Sequence, residues 1–345
     1  MLALSATQAI TPAVERTRSL LFRPFAWGTF LKLCAVGVLT EGFGGNFNSS
    51  HSNPRAHIGG AGSMPFHLTP NVVVTLVFLG LAVLVLAIVL FYVVIRLRFA
   101  LFDCLIHQSK LIAPGWRKYR FQAFRFFLFS ITVGLVLFIG LIAILLPFAA
   151  GFVRLFHETQ RGGPFPIMAA LGLILPLIPI FLLFVLLALA VDLVLRDFML
   201  PHFALENASA GQAWAAVRAY IAREMGSFFL YAVLRIVLPV AAGIALVIAL
   251  AIPCLLVFGS LGAAMVALHV AVHHAALGAL IAGRIFEAIL GLIIAAVALL
   301  LVVSVGGPLC IAVRNYALVF YGGRYQALGN ILYPPQTSPA QPGIG

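Results

Sequence analysis

An all-α, polytopic membrane fold is predicted by three observations: an apolar majority, a scarcity of charge, and unbroken apolar runs of membrane-crossing length. Of 345 residues, 63% are apolar and 9% are charged, against roughly 45–50% and about 25% in a soluble domain. So few charges cannot cover a water-facing surface. About 20 apolar residues cross a hydrocarbon core of about 30 Å as a helix, and the runs 72–95, 126–150, 167–195, 229–257 and 286–313 are of that order. None shows the alternating polarity over about 10 residues that a membrane β-strand needs.

The elements follow in chain order. Residues 1–24 lack the basic start and cleavage site of a secretory signal. Thr11-Pro12 reads instead as an N-cap with proline at the first helical position, opening an amphipathic helix that lies in the interface plane. Phe25 to Thr40 is a shorter apolar run interrupted by Lys32. Gly42 to Ser63 reads as an outer loop, and the Pro-rich stretch 329–345 as a disordered tail. Ser209 and Gln212 form an S-x-x-Q capping box, in which each side chain satisfies an orphan backbone donor; a helix is predicted to start there.

Charge sets the orientation. Lys and Arg number three before Phe25, seven in 96–125, three in 196–227 and two in the tail, fifteen in all, against four in the alternate connections. By the positive-inside rule the rich segments are cytoplasmic. Both termini are then inside, so the number of spans is even and Phe25 to Thr40 is promoted to a first span, with Lys32 snorkelling to the inner face. Trp27, Trp116, Trp214, Tyr92, Tyr119, Tyr220, Tyr316 and Tyr321 all fall on that inner side, as interfacial aromatics do. The net charge of +12 is explained by these flanking residues, so no nucleic-acid partner is predicted.

The six spans repeat as three helical hairpins. The even spans end Arg98-Phe-Ala-Leu-Phe-Asp103, Arg196-Asp-Phe-Met-Leu-Pro201 and Arg314-Asn-Tyr-Ala-Leu-Val319. The odd spans open on Arg23-Pro-Phe-Ala-Trp27, Arg120-Phe-Gln-Ala-Phe124 and Arg223-Glu-Met-Gly-Ser227. Arg98, Arg196 and Arg314 therefore mark equivalent boundaries, and the units are 25–106, 107–205 and 206–328. The third unit is longer by an inserted helix, 261–283; a seventh span there is the alternative, and it would move the tail outside. Hairpins that all enter from the cytoplasm differ from the inverted repeats of many transporters.

The stretch Arg196-Asp-Phe-Met-Leu-Pro-His-Phe-Ala-Leu-Glu-Asn-Ala-Ser-Ala-Gly-Gln-Ala-Trp214, with Arg314-Asn-Tyr-Ala-Leu-Val-Phe-Tyr-Gly-Gly323, resembles a family of uncharacterised bacterial polytopic membrane proteins. More distantly it resembles the membrane domain attached to some glycerophosphodiester phosphodiesterases. The resemblance implies a six-helix domain in a bacterial inner membrane. The hydrolytic barrel of those fused enzymes has no counterpart here, so their activity does not transfer.

Charges inside membrane spans point to function, because burying one at the bilayer centre costs at least about 2.5 kcal/mol. Asp192 and Arg196 stand four apart and pair on one helix face, and Arg235 reaches the same depth; a structural clamp at the inner interface is the simpler account. His269 and His273, spaced i, i+4, could share a metal, with Glu158 or Glu287 adding a carboxylate. The Glu of H-E-x-x-H is missing, which removes zinc-peptidase chemistry. Ala263, Ala267, Ala271, Ala275, Ala279 and Gly283 form a small-residue ridge suited to close helix packing. Pro176, Pro179, Pro239 and Gly306-Gly307-Pro308 could break helices along a pathway.

No phosphate-binding loop, dinucleotide fingerprint or G-x-S-x-G elbow occurs, and no cofactor is predicted. Cys34, Cys104, Cys254 and Cys310 are scattered and read as buried hydrophobes. The expected role is a non-enzymatic membrane module, an accessory, scaffold or lipid- or small-solute-handling component. Its partners would be the lipid bilayer and a membrane protein or a second copy. A transporter or channel subunit is the second reading and a membrane-embedded enzyme the third.

Overall fold

A computed structural model describes residues 4–42, 70–160, 167–273 and 277–333, without the side chains of 42, 70–71, 158–160 and 271–280. Helix accounts for 91% of the structure and strand for none among the described residues. The helices are α1 (Ile10–Phe22), α2 (Trp27–Gly42), α3 (Pro70–Ile106), α4 (Ile112–Lys118), α5 (Arg120–Gln160) and α6 (Ile167–Leu193). A π-helical turn (Val194–Met199) follows, then α7 (Leu200–Leu205), α8 (Ala210–Arg223), α9 (Met225–His273), α10 (Leu277–Gly322) and α11 (Gln326–Leu332).

Among the described residues, five helices are long and apolar enough to cross a membrane: α3, α5, α6 with the turns after it, α9 and α10. No residue of their most apolar stretches is buried by protein. In water such surface would be untenable at roughly 25 cal/mol per Å², so these faces require lipid or another apolar surface. At 49 residues and about 1.5 Å rise per residue, α9 exceeds the hydrocarbon core of about 30 Å and extends beyond it.

Protein packing is concentrated at one end. There the last turns of α3, α6 and α10 and the first turns of α5 and α9 meet α1, α2, α7, α8 and α11 around Phe99, Phe102, Phe126, Phe198, Phe203, Tyr231, Phe320 and Tyr321, all buried. Two contacts recur: Phe99 of α3 meets Phe126 of α5 edge-on at 5.7 Å, and Phe198 meets Phe228 of α9 edge-on at 5.1 Å. Such pairs contribute about 0.5–1.5 kcal/mol beyond the area they bury. Both ends of the described chain join this core. Arg324 donates to the Leu4 carbonyl at 3.1 Å, and Arg16 donates to the Leu105 carbonyl at 3.0 Å and the Leu332 carbonyl at 3.5 Å.

The structure revises the sequence reading at several points. Tyr119, Tyr316 and Tyr321, expected at the membrane face, are buried in this core; Trp27 and Trp214 do lie exposed. The aromatics that follow the boundary arginines, Phe99, Phe198 and Tyr316, are likewise interior, because the helices converge there and protein rather than headgroups covers them.

Helix α1 begins at Ile10 rather than after Thr11, and its N-cap, Ala9, makes no side-chain cap. Capping is displaced one turn earlier: the Ser5 amide donates to Gln8 Oε1 at 3.0 Å and the Gln8 amide to Ser5 Oγ at 3.3 Å. At α8 the expected box is present, with Ser209 and Gln212 bonded reciprocally.

Residues 261–283 are not a separate inserted helix: 261–273 continue α9 and 277–283 open α10. Nor is α10 broken at Gly306-Gly307-Pro308, where the helix is continuous. The glycine there serves contact, since a Cβ on Gly307 would stand 2.3 Å from Cys34 Cβ and 2.6 Å from Cys34 Cα; α2 lies directly against α10. The outer loop 43–63 and the tail from Pro334 fall outside the described residues, as do residues 161–166.

Helix α2 differs most from expectation. It is 16 residues long, and its last turn is tied to Arg98, Arg196 and Arg235. The sequence reading puts Thr40 and Glu41 on the outer side and those arginines on the inner. The structure sets them at one level, since a buried carboxylate has to sit where cations can neutralise it.

Candidate functional site

The long helices meet in a string of alternating charges. Asp192 Oδ2 lies 3.1 Å from Arg196 Nη1, and Arg196 Nη2 donates to Glu41 Oε2 at 2.9 Å. The same Glu41 oxygen accepts from Arg235 Nη2 at 2.8 Å, and Arg235 Nε donates to Asp197 Oδ2 at 3.0 Å. Arg314 Nη1 closes the string on Asp197 Oδ1 at 2.7 Å, while Tyr231 adds its hydroxyl to Oδ2 at 2.8 Å. Asp197 thus accepts three hydrogen bonds although only 1% of its side chain is exposed.

The string is neutral as a whole, with three carboxylates to three guanidiniums. Arg98 stands beside it, donating Nε to the Thr40 carbonyl at 3.1 Å, and leaves one unit of positive charge uncompensated by these acids. Buried ion pairs gain little over apolar packing, but removing one member strands its partner at about 3–5 kcal/mol. The string therefore fixes geometry: α2, α3, α6, α9 and α10 are held in one register by groups that cannot separate singly.

Local structure explains the convergence. Adjacent residues of a helix point in directions about 100° apart, so Arg196 and Asp197 can face different helices, and the segment that carries them, Val194–Met199, is π-helical. A π turn bonds i to i+5 and occurs mostly as a single-turn bulge at functional sites. Within it Arg196 reaches toward α2 while Asp197 faces α9 and α10.

A second polar group lies deeper in the core. His202, 2% exposed, has Nε2 at 2.7 Å from the Tyr321 hydroxyl and Nδ1 at 3.1 Å from Glu206 Oε2. The Tyr325 ring lies 4.2 Å from the imidazole, tilted by 39°, and burial pushes the Tyr325 hydroxyl well above the ordinary tyrosine range. The acid, imidazole and hydroxyl are in line, but Tyr321 is fully buried, so a reactant has no access to its oxygen; the group orders the junction of α7, α10 and α11.

Of the residues singled out in the sequence, Asp192, Arg196 and Arg235 are brought together, and Arg98 and Arg314 join the same cluster. Glu41, Asp197, Tyr231 and His202 are additional. Among the described residues no three His, Cys, Asp or Glu are grouped to hold an ion, and the expected pairing of His269 with His273 falls partly outside them. His269 Nδ1 lies 2.9 Å from Glu287 Oε1 and 3.3 Å from Arg284 Nη1. A guanidinium at that distance repels a cation. The His273 side chain lies outside the described residues, as does that of Glu158.

No curated protein and no solved structure matches the chain, and no link to glycerophosphodiester phosphodiesterases emerges. A family model does match, over residues 4–331. With nearly the whole helical chain aligned, the protein belongs to a family of unknown function, DUF7544.

Proposed function

We propose that this protein is a multi-pass scaffold or accessory module of a bacterial inner membrane, non-enzymatic, with both termini cytoplasmic and its spans arranged as three repeated hairpins. The observation that carries the reading is the contrast between the two ends of the long helices. At one end a charge string and an aromatic core lock them together; above it no residue of their most apolar stretches is buried. A frame fixed at its base with open apolar arms suits holding lipid or a partner's helices rather than turning over a substrate.

Four further features support the arrangement. The order short helix, long helix, long helix occurs as α4-α5-α6 and α8-α9-α10, and α1-α2-α3 departs from it in that α2 is short. The same S-x-x-Q box precedes α1 and opens α8. The Phe99–Phe126 and Phe198–Phe228 contacts each join the end of one unit to the start of the next. Both ends of the described chain reach one core, which suits an even number of crossings between them.

A transporter or channel subunit is the alternative. It draws on the charged residues Asp197 and Arg235 standing where α6 gives way to α9, the kind of intramembrane pair that marks a pathway. Purified protein in sealed proteoliposomes separates the two. Ion and small-solute gradients should persist as they do in empty vesicles. Collapse of a gradient that Arg235→Gln abolishes would replace the scaffold reading with transport.

A further inference from the structure

Between α3 and α5, at their packed end, lies a groove of about 660 Å³ lined by Ile88, Val89, Tyr92, Phe121, Phe124 and Phe127, with Arg120 at its inner limit. The Tyr92 ring meets Phe124 at 6.2 Å and Phe127 at 5.2 Å, both edge-on. Ile88, Val89, Phe121 and Phe124 are exposed, so this wall faces the region that acyl chains occupy.

Below it the groove becomes cationic. Arg96 lies over the Trp116 ring at 4.0 Å and donates to the Trp116 carbonyl at 2.7 Å, and its buried Nε has no partner. Arg120, in the lining, is exposed, as is Arg117, the residue after Trp116 in α4. The one acid between Ile88 and Phe127 is Asp103, which is engaged by Tyr119 at 3.1 Å and Lys118 at 3.4 Å.

We infer that the groove binds one anionic phospholipid, its acyl chain along Ile88, Val89 and the phenylalanines and its phosphate on Arg120. A guanidinium fork meets two phosphate oxygens at once, and basic recesses between membrane helices on the cytoplasmic side suit anionic headgroups. A zwitterionic choline lipid would bring its cation among Arg96, Arg117 and Arg120, so charge complementarity selects the anion. The inference rests on the membrane reading above.

Full-length protein in nanodiscs containing both phosphatidylglycerol and phosphatidylcholine tests it, with native mass spectrometry counting the lipid retained on release. One phosphatidylglycerol should be retained in preference to phosphatidylcholine. Arg120→Gln should weaken that retention about fivefold, as loss of one basic contact at about 1 kcal/mol implies. Arg120→Lys should restore part of it, and Arg218→Gln, which removes an exposed charge elsewhere, should leave it unchanged. Inserted protein that retains both lipids equally, or an equal loss in Arg120→Gln and Arg218→Gln, would overturn the groove assignment alone. Failure to insert at all would overturn the membrane reading with it.

Discussion

Glu41 and Arg235, separated by 194 positions in sequence, meet at 2.8 Å with about a tenth of each side chain exposed. Glu41 also receives Arg196, so one carboxylate neutralises cations from two helices. Glu41→Gln removes that charge without changing shape. It should destabilise the protein by about 3–5 kcal/mol, the cost of leaving buried cations unpaired, read as a lowered midpoint of thermal unfolding in detergent. An Asp192→Asn variant, whose carboxylate is 41% exposed, should cost far less. Equal midpoints for wild type and Glu41→Gln would remove the string as the element that sets helix register.

Gly307 offers a steric test. A methyl there would overlap the backbone of α2 at Cys34, whereas at Gly306 the nearest atom is Val38 Cγ2 at 3.8 Å. Gly307→Ala should therefore cost about 1–3 kcal/mol or more, as overpacking does, and Gly306→Ala should be tolerated. Comparing the two midpoints checks the placement of α2 against α10; similar tolerance at both positions would contradict it.

Removing the Tyr321 hydroxyl isolates the inner histidine. In Tyr321→Phe the aromatic packing stays while His202 Nε2 loses its partner in a site only 2% exposed. A loss of about 1–3 kcal/mol is expected for an unsatisfied buried polar atom. Tyr220→Phe, on a less buried ring, is the comparison that should show little change.

Orientation is open to direct labelling. Cysteine replacements at Ser50 and Gly162 should react with an impermeant reagent from outside intact cells, and replacements at Lys118 and Thr337 should stay protected until the membrane is opened. The fifteen-to-four division of basic residues motivates this. Labelling of position 337 from outside would require an odd number of crossings.

Much of this architecture was legible from residues alone, for physical reasons that differ by element. Long apolar runs leave only helix in a bilayer, so the five long helices follow from composition. Arg98, Arg196 and Arg314 stood out because arginine is rare against an apolar background. Glu41 did not, since sequence offers no measure of depth: a carboxylate after an apolar run reads as loop when its neutralising cations are 155 and 194 positions away. Asp197 was masked by its neighbour, because the cations that neutralise it, Arg235 and Arg314, lie 38 and 117 positions away. Ser5 and Gln8 carry the same spacing as Ser209 and Gln212, so that cap was readable and overlooked beside Thr11-Pro12. The tyrosines misled because interfacial and interior aromatics have the same composition and differ only in what surrounds them.

The meeting of the two chain ends has a consequence for how the protein is made. Thr17 is bonded to Asn315 across 298 positions and Arg16 reaches Leu332 across 316, so α1 is synthesised first and finds its partners last. Until α10 leaves the translocation machinery, Asp197 lacks Arg314 and the first two helices have no wall to rest on. Docking of α1 and α2 onto α10 therefore comes last, after the contacts among α2, α3, α5 and α6 can form. A nascent chain stopped before Arg314 would leave Asp197 with Arg235 and Tyr231 as its only partners and its aromatic seam open.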